Sequence, residues 1–136
     1  MVLRLWISLV FSVAILSTTF MMLKTSAITT SVPVLHQQDS AHGRELFEKY
    51  CTQCHRLDTE KKGPRLRGVF GRKVGSVPTF SYSEALKKAD VTWDANSLNQ
   101  WLTDPDKFIP DNNMDFQLQD ADGRAAVIAY LKTLSN

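Results

Sequence analysis

The stretch Cys51-Thr52-Gln53-Cys54-His55 contains the only two cysteines of a 136-residue chain, three positions apart, with a histidine directly after the second. On a helical turn, side chains at i and i+3 lie on one face. Two thiols placed this way can meet one edge of a flat molecule. The residue after the second thiol then projects under that molecule, where an imidazole can bind a metal.

The spacing matches the C-x-x-C-H pattern of covalent haem attachment, in which the thiols add to the two vinyl groups and the histidine binds iron. Three other uses of the cysteines compete with it. A thioredoxin-like redox pair needs a βαβ setting, and no strand pattern flanks this motif. A zinc site needs further ligands at matching spacing, and the other histidines, His36 and His42, both lie upstream. A structural disulfide across so small a loop would contribute little to a fold.

A haem held by His55 has a second axial position. Of four methionines, Met1, Met21 and Met22 fall in the first 27 residues, and Met114 alone lies further on, between Asn113 and Asp115. A lone thioether in a hydrophilic loop is poorly explained by packing. As an iron ligand it favours Fe(II) and raises the potential relative to two histidines.

The flanking sequence predicts an all-α domain of few, short helices and long loops wrapped around one covalent haem. The first helix opens near Asp39 or Ser40 and runs to about Tyr50. Thr59–Pro78 contains four glycines and two prolines and no sustained periodicity, a loop long enough to wrap something. A short helix is expected over Ser83–Lys88, another from Asp94 through Trp101 and Leu102, stopping before Pro105. Pro105–Gln119 reads as a second loop. Asp120 then caps a last helix, with Val127, Ile128, Leu131 and Leu134 as its apolar stripe and Tyr130 beside it. Packing among so few helices is marginal at this size, so a large apolar cofactor is expected at the centre.

Upstream, Leu5–Leu23 is an uncharged, largely apolar run preceded by Arg4 and followed by Thr25-Ser26-Ala27. This is the layout of an export signal. As a helix it would reach roughly 28 Å, enough for a bilayer core, so residues 1–27 are read as a signal peptide or a retained membrane anchor. Residues 28–39 read as a linker and 40–136 as the domain. The full chain carries 16 basic and 14 acidic residues. Removing Arg4 and Lys24 leaves 14 of each, near neutrality. Seven basic residues fall between Arg56 and Lys73, and six aspartates between Asp104 and Asp122, which makes a dipolar surface. No continuous basic face suggests nucleic acid. No acid–base pair or nucleophile suggests an enzyme.

CTQCH, GPRLRGVFGRKVG, FSYSEA, Trp93, IPDNNM and YLKTL, in this order, resemble class I cytochromes c of the mitochondrial and bacterial c2 type. The resemblance runs from about Gly43 to the C-terminus. It implies that the Pro64 carbonyl accepts the second N–H of His55, and that Arg72, Tyr82 and Trp93 donate to the haem propionates. It also implies that Gly43 and Phe47 meet Val127 and Tyr130 where the first and last helices cross. The implied activity is one-electron transport in a respiratory chain. The resemblance further implies a monomer working in the periplasm, free or tethered to the inner membrane, between a quinol-oxidising complex and a terminal oxidase or periplasmic reductase. Several positions depart from the family pattern. The loop from His55 to Pro64 is short, Trp101 replaces a tyrosine near the methionine sulfur, Leu86 replaces a buried asparagine, and Asn112 replaces a threonine. Asp106 and Asp111 leave the usual lysine ring around the haem edge incomplete.

Overall fold

The computed structural model describes residues 32–135, with side chains from Asp39 onward. The segment read as signal or anchor lies outside the described residues, as do positions 28–31 of the expected linker. Among the described residues the α-helices are, in order, α1 Val32–Leu46, α2 Glu84–Lys88, α3 Ala95–Thr103, α4 Pro105–Phe108 and α5 Ala121–Thr133. The same residues contain no strand, only one isolated antiparallel bridge between Lys73 and Thr92. None of the described helices is long and apolar enough to cross a membrane.

The helix starts follow from side-chain caps. Ser83 accepts from the Leu86 N–H at the start of α2. Asp94 and Ser97 form a reciprocal capping box at α3, and Asp120 accepts from the Gly123 N–H at α5. Each satisfies donors that a helix start otherwise leaves without partners.

Three elements differ from expectation. α1 is already helical at Val32, inside the stretch read as a linker. After Leu46 the helix does not continue as α but widens into a π turn, Phe47–Cys51. α4 interrupts the expected loop, because Asp104 caps it and Pro105 supplies a fixed φ at its first position.

The domain is closed by the crossing of α1 and α5. A Cβ at Gly43 would overlap the Ala126 carbonyl and press on Tyr130 Cβ, so the bare glycine sets how closely the helices approach. One turn on, the Phe47 and Tyr130 rings lie 5.4 Å apart, tilted by 60°. Phe47, Val127, Ile128 and Leu131 are buried in one core with Leu98, Trp101 and Leu102 of α3. The segment between the π turn and α2 is irregular and bends sharply at Gly75. There φ is 69° and a Cβ would overlap the Leu86 carbonyl, so only glycine fits.

Candidate cofactor site

The π turn, the 63–83 loop, α3, α5 and the segment after α4 enclose a cavity of about 570 Å³. Cys51, Cys54, His55, Pro64, Arg72, Tyr82, Trp93 and Met114 all line it. The walls between them are apolar, supplied by Leu66, Val69, Leu86, Leu98, Leu102, Val127 and Leu131. A second cleft of about 490 Å³ opens on the far side of His55, and of these eight residues it touches only that one. The chemistry-bearing groups therefore converge on the first.

The π turn delivers the motif. Cys54 N–H and His55 N–H both donate to the Cys51 carbonyl, at 3.1 and 2.8 Å, which curls Cys51–His55 into a tight turn. The thiols are not joined to each other; Cys51 is half-buried and Cys54 exposed. Burial pushes the Cys51 thiol up to about 11. The site accommodates sulfur in an uncharged form there, and a thioether keeps it uncharged.

His55 Nδ1 lies 2.8 Å from the Pro64 carbonyl oxygen. A carbonyl only accepts, so Nδ1 carries the proton and Nε2 keeps its lone pair. Burial lowers the pKa of the ring, against the Pro64 bond that raises it, which favours the neutral imidazole that a metal requires. Gly63 makes this position possible, because a Cβ there would overlap the ring at Cε1. Its N–H in turn donates to the Cys54 carbonyl at 2.9 Å. The motif reading does not single out Gly63; its place directly before Pro64 is the one signal the sequence offers.

Across the cavity, the Trp101 indole N–H donates to Met114 Sδ at 2.9 Å. The tryptophan that departs from the family pattern thus reaches the sulfur. Trp101 is buried and its ring lies 5.4 Å from that of Trp93. Leu86 lines the cavity, whereas Asn112 does not. The Asn112 side chain instead accepts from the Met114 backbone N–H at 2.6 Å.

At the edge near the 65–82 loop, Arg72 donates from Nη1 to the Arg67 carbonyl at 3.1 Å and from Nη2 to the Arg65 carbonyl at 2.9 Å. These bonds use two of the five guanidinium donors. Desolvation lowers the Arg72 pKa and the neighbouring Tyr82 opposes that; burial raises the Tyr82 phenol. A cation and a protonated phenol together suit an acidic group. Among the described residues no cluster of three or more His, Cys, Asp or Glu side chains could hold a bare metal ion. The donor set instead fits a flat apolar macrocycle with thioether attachment, one ligand on each face and carboxylates at one edge.

Comparison with known proteins agrees with this chemistry. The family model for cytochrome c matches residues 40–135. The chain is 40% identical over 104 residues to cytochrome c type-1 of Ascaris suum, covering 74% of this chain and 93% of that one. It is 43% identical over 98 residues to cytochrome c of Chlamydomonas reinhardtii, covering 69% and 88%. The solved structure of cytochrome cH from Methylobacterium extorquens superposes with a TM-score of 0.67 at 41% identity, covering 70% of this chain and 98% of that one. With a helical fold, a C-x-x-C-H turn opening on one apolar cavity and a family match across the whole domain, the chain belongs to the cytochrome c family, as a class I member.

Proposed function

We propose that this cytochrome is an exported one-electron carrier whose haem is bonded to Cys51 and Cys54 and whose iron is held by His55 and Met114. Haem c, which the family carries covalently, supplies reversible exchange between Fe(III) and Fe(II) when bound. The residues of this chain do the rest. With Nδ1 committed to Pro64, the His55 Nε2 is the nitrogen left for the metal, and the Pro64 bond makes it a better donor. Met114 sulfur keeps one lone pair after accepting from Trp101. Arg72, Tyr82 and Trp93 offer donors to the propionates, which lowers the cost of burying carboxylates.

The observation that carries this reading is that His55 and Met114 line one cavity, each already oriented by a hydrogen bond that leaves the ligating atom available. If His55 and Met114 both hold the iron, they would leave it no open position for a substrate, which suits an electron carrier rather than an enzyme. Electrons would come from a quinol-oxidising complex and pass to a terminal oxidase or periplasmic reductase. The apolar run 5–23 with Arg4 before it supports export to the periplasm, as a monomer that is either released or tethered by that segment. Two measurements on holoprotein test the function. A redox titration should follow a one-electron Nernst curve, and the ferrous protein should not bind carbon monoxide at neutral pH. Ready carbon monoxide binding would contradict a closed iron and favour a sensor or peroxidase.

A further inference from the structure

The geometry points to Asn112 as the residue that sets how firmly Met114 is held at the iron, with Asp106 fixing Asn112; this inference rests on the assignment of Met114 as ligand. The Asn112 Nδ2 donates to Asp106 Oδ1 at 2.7 Å and to the Ile109 carbonyl at 3.0 Å. Both partners only accept, so the orientation of the amide is fixed, and Oδ1 is left facing the Met114 N–H at 2.6 Å.

The two acceptors belong to a rigid support. Pro105 and Ile109 are buried, and the Ile109 N–H closes the turn by donating to the Pro105 carbonyl at 2.9 Å. On the other side of Met114, the next backbone hydrogen bond to the body of the protein is Leu118 N–H to the Leu102 carbonyl at 2.8 Å, and between them the Phe116 ring, 6.0 Å from that of Tyr50, adds a side-chain contact. Asn113–Gln117 is therefore irregular chain whose backbone is hydrogen-bonded to its surroundings near its two ends, and Met114 sits beside the end that Asn112 holds. The Trp101 bond grips the sulfur and the Asn112 bond grips the backbone. Losing the second lets the loop swing out more often without removing either the ligand or its donor. An external ligand binds only when Met114 is off, so its apparent affinity reports the population of that open state.

The test titrates ferric holoprotein with imidazole and follows the far-red sulfur-to-iron absorption band as Met114 is displaced. Asn112→Ala should raise the apparent imidazole affinity by about three- to tenfold, the worth of one net hydrogen bond. Asp106→Ala should raise it about twofold, and Asp106→Asn, which keeps an acceptor, should restore the wild-type value. The double Ala variant should match Asn112→Ala alone, because both residues act through one bond. Asn99→Ala, which removes the acceptor of an exposed bond from Arg124, controls for general destabilisation and should leave the affinity unchanged. Wild-type affinity in Asn112→Ala, or additive effects in the double variant, would overturn the inference. A wild-type protein with no far-red band would overturn the ligand assignment itself, and the clasp with it.

Discussion

The indole nitrogen of Trp101 lies 2.9 Å from the sulfur of Met114, on a helix whose start is fixed by Asp94 and Ser97. The donor draws electron density from the thioether, which on the proposed ligation would weaken its donation to ferric iron. Trp101→Phe keeps an aromatic ring at this buried position and removes the N–H, together with part of the indole's volume beside Trp93. On the proposed ligation it should lower the reduction potential by tens of millivolts, since one net hydrogen bond of about 1 kcal/mol is roughly 40 mV for one electron. Equilibrium titration against a redox mediator checks it; an unchanged or higher potential would contradict the electronic role of the bond.

Gly63 supports the opposite ligand by having no side chain. Gly63→Ala places a methyl group into the His55 imidazole, and the ring can move only by giving up its bond to Pro64. The expected cost is about 1–3 kcal/mol, the usual range for overpacking, read as a lower guanidinium midpoint of the holoprotein. A midpoint within error of wild type would mean that the ring has more room than the geometry allows.

Gly43→Val is the corresponding substitution at the helix crossing. Its side chain would have to displace the Ala126 backbone, so α1 and α5 must separate and uncover Phe47 and Val127. A loss of at least about 2 kcal/mol is expected. Circular dichroism during thermal unfolding measures it.

How much of this is legible in the sequence depends on the range of the interaction. Caps are local, so Ser83, Asp94 and Asp120 mark the starts of α2, α3 and α5 by residue type and position alone. The C-x-x-C-H spacing is local too, and the eight residues named for the site all line one cavity. The π turn is not legible, because nothing in Phe47–Cys51 distinguishes it from another turn of α-helix. α4 hides in Asp104-Pro105, a pair that reads as a stop and is also a start. Asn112 escapes for a different reason. Its departure from the family pattern is visible, but its partners Asp106 and Met114 are chosen by the fold of the loop.

Tyr82 gives stability an alkaline dependence. Burial raises its phenol above the ordinary 10.0, with a hydrogen bond to the Val77 backbone and the Arg72 charge pulling the other way. A value raised in the folded state means that the associated stabilisation is complete below the unfolded value and is lost as pH climbs through the folded one. The wild-type denaturation midpoint should therefore fall as pH rises above about 10, and Tyr82→Phe should flatten that fall. Equal slopes for the two proteins would show that Tyr82 is not responsible.

The most direct test of the central claim is the ferric absorption spectrum of Met114→Ala beside that of wild type, on protein matured with its haem attached. The account predicts a far-red sulfur-to-iron band in wild type, its disappearance in the variant, and carbon monoxide binding by the variant once reduced. Identical spectra in both oxidation states would remove Met114 from the iron and contradict the account.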